Sequence, residues 1–199
     1  MTSAARRLAD LSLDELLTEV AAATAAPGGG STVAVACALA AALVEMAAGF
    51  DPAGAAEEAG GRAGELRAYA LELAERELHA YEPVLDALRL PSDDGDRGRV
   101  LAAARSAASG LPLQIAGIGA ELASLGAQTA AGGSRHLTGD AVAAVLLAEG
   151  SCRAAVRLVE INLAGAGEDP RLRQASELAR QAAASREYAL AIASTAPNG

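Results

Sequence analysis

The residues best suited to chemistry fall in four short stretches. "PGGGS", residues Pro27 to Ser31, sets three glycines in a row, although a helix-to-helix turn needs one left-handed residue and each further glycine adds unfolded-chain entropy worth about 0.5–1 kcal/mol relative to alanine. Local chemistry leaves two readings open. One is a loose connector in which Pro27 stops a helix and Ser31 caps the next. The other is a site, where glycines without Cβ admit a ligand to the backbone and helix-start N–H groups meet an anion or a carbonyl oxygen. In "ELAERELHAYE", Glu77 and Tyr81 stand four residues apart and share a helix face, which sets a carboxyl group beside an aromatic hydroxyl; most charges on so Glu-rich a helix are merely solvated. "GSRHLTGD" is a polar loop carrying Ser134, Arg135 and His136 ahead of Asp140, which stands where a helix cap belongs. Asn162, in "LVEINLAG", either satisfies the last carbonyls of its helix or hydrogen-bonds a ligand. His79 faces away from Glu77, and His136 is read as an exposed loop residue.

Composition narrows the chemistry. All 16 basic residues are Arg, against 25 acidic ones, for a formal net charge of -9, so the basic face of a nucleic-acid binder is missing. Without Lys there is no Schiff-base chemistry, and any cationic work falls to Arg. Cys37 and Cys152 lie in apolar helical runs and read as small buried hydrophobes rather than as a disulfide or metal ligands. The N-terminus shows no export pattern, which leads to the expectation of a cytoplasmic protein.

The elements that must position these residues are helices. Hydrophobic residues make up 52% of the chain and aromatics 2%, so the core is built from Ala, Leu, Val and Ile, which suits close helix packing. Residues 1–199 are expected to form one all-α domain, an up-and-down bundle of about seven helices. The first opens with the capping box "SLDE" at Ser12 and runs to about Thr24. The second follows the glycines, covering Thr32 to Gly49; its apolar length approaches a membrane span, but Glu45 and the Ala content favour a core helix surrounded by others, in its own bundle or in a second subunit. A third starts near Ala55 and is expected to kink at Pro83. A fourth spans Arg97 to Ser109, and a fifth starts with Pro112 at its first position and ends near Ala130. The sixth begins near Asp140, and the seventh runs from Asp169 and Pro170 to about Ser194.

Taken together, "PGGGS" with its small-residue helix, "ELHAYEPVLDALRLP", "GLPL", "GSRHLTGDAVAAVLL" and "LVEINL" resemble, in order and spacing, the cyclodeaminase domain of formiminotransferase-cyclodeaminase and its stand-alone relatives, including methenyltetrahydrofolate cyclohydrolases. The resemblance implies an all-helical, dimeric enzyme acting on a one-carbon unit held between two folate nitrogens. The family's catalytic Asp falls on Glu77, its Phe on Tyr81 and its loop Asn on Ser134, while Asp140 and Asn162 keep the family's residue types. The family's Lys after the apolar-Pro pair is Ser92 here. Glu77 and Asp140 are thus the expected catalytic residues, with Gly28, Gly29, Gly30, Ser31, Tyr81, Ser134, Arg135 and Asn162 binding substrate. Arg135 and Arg153 are the cations expected to face folate carboxylates. The expected ligand is a tetrahydrofolate derivative acting as substrate, with no metal, no permanently bound cofactor, no nucleic acid and no membrane, and the expected assembly is a homodimer. Because loss of the Lys removes a proton donor for departing ammonia, hydrolysis of 5,10-methenyltetrahydrofolate ranks first here. The alternatives are formimidoyltetrahydrofolate cyclodeamination and a non-catalytic folate-binding homologue.

Overall fold

The computed structural model describes residues 6–50 and 56–195. Among them the chain forms α1 (Leu13–Ala21), α2 (Gly29–Gly49), α3 (Glu57–Ala80), α4 (Glu82–Arg89), α5 (Arg97–Ala108), α6 (Gly110–Gly132), α7 (Thr138–Asn162) and α8 (Pro170–Thr195), with 3-10 turns at Leu8–Asp10 and Arg135–Leu137. The architecture is the all-α bundle expected, and no strand occurs among the described residues.

Local chemistry explains where the elements begin and end. At Ser12 the side chain accepts from the Glu15 N–H while Glu15 reaches back to the Ser12 N–H, a complete capping box. Helix α1 ends at Ala21, short of Thr24. The start expected for the third helix, Ala55, lies outside the described residues. Instead of a kink at Pro83 there is a break: Pro83 has no N–H for the His79 carbonyl, which accepts from the Tyr81 N–H instead, and the chain restarts as α4 with Pro83 in its first turn. Helix α6 starts at Gly110 rather than at Pro112, only Ser109 separating it from α5. Helix α7 starts at Thr138, so Asp140 is not its cap. It stands in the first turn, where a carboxylate complements the helix dipole, and no side chain caps the helix.

Helices α3, α2, α7 and α8 lie side by side, each packed on the next, and α6 crosses behind and touches all four. Small residues make this possible. A Cβ on Gly119 of α6 would meet Ala148 O and Cys152 N of α7, each at 2.9 Å, and one on Gly126 would meet Val145 Cγ2 at 2.9 Å, so α6 and α7 approach backbone to backbone. Cys37 and Cys152 are both free and buried in this core. By length and apolar content alone α2 is the one described helix that could cross a membrane, and its buried face packs on α3, α6 and α7. The face of α2 and α7 turned away from α6 leaves Leu39, Met46, Phe50, Leu146, Leu147 and Ile161 exposed.

Candidate functional site

The answer to the glycine run lies in the pairing of α2 with α3. Helix α2 begins three residues earlier than expected, with Gly28 as its N-cap, so Gly29, Gly30 and Ser31 form its first turn. Their N–H groups are the ones for which a helix offers no carbonyl. Ser31 is therefore not the cap. It is buried, and its hydroxyl donates to the Ala74 carbonyl at 2.9 Å, tying α2 to α3 one turn before Glu77. Across this tie the Glu77 side chain fills the space that a Cβ on Gly30 would occupy: such an atom would stand 2.5 Å from Glu77 Cδ and 3.1 Å from Cγ. Gly29 carries no such constraint, its nearest neighbour being Leu158 Cδ2 at 3.9 Å. Of the three glycines, Gly30 is the one whose missing side chain the structure uses.

Glu77 ends in a cavity of about 250 Å³. Its walls come from the α2 start (Gly28 to Ser31, with Ala25 before it), the α3 end (Ala80, Tyr81), the α5–α6 junction (Ala108, Pro112) and the α7 end (Leu158, Ile161, Asn162). The cavity is smaller than the roughly 300–1,000 Å³ that encloses a drug-sized molecule, so a larger ligand would place only one end inside. Glu77 Oε1 is buried with no hydrogen-bond partner, and this burial pushes the carboxyl up to about 7. A carboxyl group that titrates near neutrality can take and return a proton at neutral pH. Asn162 does not serve the carbonyls of its own helix; its Nδ2 donates to the Ala108 carbonyl at 3.3 Å.

The structure thus gathers Gly28, Gly29, Gly30, Ser31, Glu77, Tyr81 and Asn162 around one cavity. It does not gather Ser134, Arg135 or Asp140 there. Asp140 and Asn162 stand at opposite ends of α7, 22 residues or about 33 Å apart at 1.5 Å per residue, and Ser134 and Arg135 lie just before Asp140, beyond the end of α6. Within one chain, Glu77 and Asp140 therefore cannot share a ligand. Arg153 lies in a separate surface cleft and pairs with Glu149 at 3.7 Å. Ser92 is exposed in the turn after α4 and does not line the cavity. The lining residues that sequence reasoning missed, Ala25, Ala80, Ala108, Pro112, Leu158 and Ile161, are apolar and carry no chemical signature; only "GLP" flagged Pro112. Among the described residues no three His, Cys, Asp or Glu side chains stand close enough to hold a metal ion.

Comparison with known proteins identifies the family and the fold. The formiminotransferase-cyclodeaminase family model matches residues 12–182, a span that contains every cavity residue. The fold is similar to the crystal structure of formiminotetrahydrofolate cyclodeaminase from Thermotoga maritima, with a TM-score of 0.81 and 24% identity over 94% of this chain and 97% of that one. At that identity the likeness is one of fold. No curated protein matches the chain.

Two outcomes follow from the Gly30–Glu77 contact. Gly30→Ala displaces the carboxylate and is expected to lower ligand affinity or turnover at least 10-fold, whereas Gly29→Ala has room and is expected to stay within about 2-fold; ligand titration of both variants checks this. The second concerns stability. The folded-state value near 7 stands above the carboxyl's ordinary 4.5, so between those limits the native state holds a proton that the unfolded state has lost, and stability falls as pH rises from about 4.5 to about 7. Glu77→Gln abolishes this dependence. Its melting temperature relative to the natural protein should climb from pH 5 to pH 8, and thermal melts with a constant difference would count against the buried carboxyl.

Proposed function

The chain belongs to the formiminotransferase-cyclodeaminase family, and from that premise we propose that it is a folate enzyme of one-carbon metabolism, acting as a formimidoyltetrahydrofolate cyclodeaminase. The observation that carries this reading is Glu77, a carboxyl group with one oxygen unpaired and buried, titrating near 7 in the cavity beside the α2 start.

The chemistry requires one proton to move between two nitrogens. In the substrate, N5 bears a protonated formimidoyl group, CH=NH2+, and N10 bears one hydrogen. Attack of N10 on the formimidoyl carbon forms the new C–N bond and an aminated tetrahedral centre. Glu77, as carboxylate, takes the N10 proton and gives it to the exocyclic nitrogen. The C–N bond to that nitrogen then breaks, ammonia leaves, and the positive charge remains on the methenyl product. One carboxyl that is ionised before the transfer and protonated within it serves both steps, and a value near 7 suits both roles. The same carboxylate lies beside a cation in substrate and product alike. The unpaired N–H groups of Gly29, Gly30 and Ser31 suit a carbonyl oxygen of the pterin ring rather than the amidinium, and Tyr81 stands at the mouth, half exposed.

This reverses the ranking drawn from sequence. The sequence ranks hydrolysis of methenyltetrahydrofolate first because Ser92 replaces a Lys that would protonate ammonia, yet Ser92 does not line the cavity and Glu77 can supply a proton donor of its own. The family description and the structural neighbour also favour the deaminase. The Glu77 side chain, one methylene longer than the family's Asp, lies against Gly30, where a Cβ would stand 2.5 Å from its Cδ.

Incubating the purified protein with formimidoyltetrahydrofolate and, separately, with methenyltetrahydrofolate tests the reading, with release of ammonia as the first readout and loss of the methenyl chromophore as the second. Ammonia release with a rate that rises through an inflection near pH 7 is expected. Glu77→Gln is expected to reduce it by about 100-fold or more, and Glu77→Asp, which draws the carboxyl back by about 1 Å, on the order of 100-fold. Turnover of the methenyl substrate alone restores the cyclohydrolase reading; folate binding without either reaction favours a non-catalytic homologue.

Ser134, Arg135 and Asp140 belong to the same site only if a second copy supplies them. The exposed apolar face of α2 and α7 suits a two-fold homodimer, and antiparallel α7 helices would bring the Asp140 end of one subunit toward the Glu77 end of the other. Mixing refolded Glu77→Gln and Asp140→Asn proteins, each inactive, should then restore about a quarter of natural activity, because half the dimers are mixed and each has one intact site. An active Asp140→Asn protein, or a mixture that stays inactive, removes these three residues from the site.

A further inference from the structure

We propose that Arg171, at the start of α8, is a positioning residue that sets which atom of Asn162 faces the ligand. The inference rests on reading the Glu77 cavity as the substrate site.

It begins with Pro112. A helical carbonyl normally accepts from the N–H four residues on, but Pro112 has none to give Ala108. The Asn162 amide nitrogen fills that vacancy at 3.3 Å. Because a carbonyl only accepts, the nitrogen must point at Ala108, and Oδ1 is left for the cavity, with no partner among the described residues. The ligand-facing group of Asn162 is thereby an acceptor, suited to an N–H of a nitrogen-rich ring.

This orientation is only as firm as Ala108, the one buried residue of α5. Arg171 grips the chain on both sides of it. Its Nη1 donates to the Ser106 carbonyl and to the Ser109 hydroxyl, each at 2.7 Å, and its Nη2 to the Ser106 hydroxyl at 2.7 Å. Asp169 takes the remaining donors, Nε at 3.0 Å and Nη2 at 2.7 Å. All five guanidinium N–H groups are used in one plane, a pattern that a lysine cannot reproduce. The Arg171 guanidinium holds the Asp169 carboxyl down at about 2, so the clamp stays charged across the pH range of an assay.

A double-mutant cycle decides the matter. Arg171→Gln and Asn162→Ala are each expected to lower kcat/KM for the tetrahydrofolate substrate by about 10-fold or more, and the double variant to lose no more than the worse single one. Multiplying losses overturn the proposal, as does an unchanged rate for Arg171→Gln. Ser106→Ala, which removes one of the five bonds, repeats the cycle if Arg171→Gln does not fold. Crystal structures of Arg171→Gln or Ser106→Ala add a readout independent of turnover. An Asn162 amide turned away from Ala108 supports the clamp even if no folate is converted, a result that would defeat the functional reading alone; an amide that has not moved overturns the clamp.

Discussion

A carboxylate lies where a side chain is missing, and the rest of the site depends on that substitution of one group for another. The Glu77 side chain of α3 occupies the volume in front of Gly30, which brings α3 close enough for the Ser31 hydroxyl to reach the Ala74 carbonyl and leaves the carboxyl facing the first turn of α2. Burying an acid without a hydrogen bond to one of its oxygens costs stability. The cost is local, and it yields a group whose proton affinity fits neutral pH. A bulkier residue at Gly30 would separate the helices or expel the carboxylate, and either change would return the acid to water and to its ordinary titration.

The same economy of side chains shapes the bundle. Alanines and glycines along α2, α6 and α7 let the backbones approach until glycines such as Gly119 rest on the carbonyls and amides of the facing helix. Close approach at many points makes the relative placement of the helices stiff, because a densely packed interior transmits displacement rather than absorbing it. Four elements that are distant in sequence can therefore hold one small cavity at their shared end. Its polar groups come from α2, α3 and α7, and its apolar wall comes from three alanines with Pro112, Leu158 and Ile161, whose only contribution is shape.

Much of this was legible in the chain, and the illegible remainder has physical causes. Helix periodicity, the Ser12 capping box and the small-residue core are local properties, and they led to the observed all-α bundle. At Pro83 the sequence predicts a kink where the structure has a break, because whether a proline kinks or breaks a helix depends on whether the freed carbonyl finds another donor, and the Tyr81 N–H supplies one. Ser31 has the chemistry of a cap, yet Gly28 takes that position because the helix starts earlier, and the hydroxyl was drawn into a contact 43 residues away in sequence. Helix spacing singles out Glu77 and Tyr81 and a helix end singles out Asn162, but only motif order joins them in one site. Motif order carries no distances, so it cannot say that Ser134, Arg135 and Asp140 lie at the other end of a 25-residue helix of the same chain from Asn162. Arg171 had no signal at all, since a charged residue near a helix start resembles any solvated one.

Helices α4 and α5 leave the bundle at Tyr81 and return at Ala108, two residues that line the same cavity, and α4 packs chiefly on α5. Both attachment points are fixed from outside the excursion, one by α3 and the other by the clamp from α8. The segment between them can then drift, shorten or grow in the course of divergence with little effect on the chemistry, since the entropy of closing a loop rises only slowly with its length.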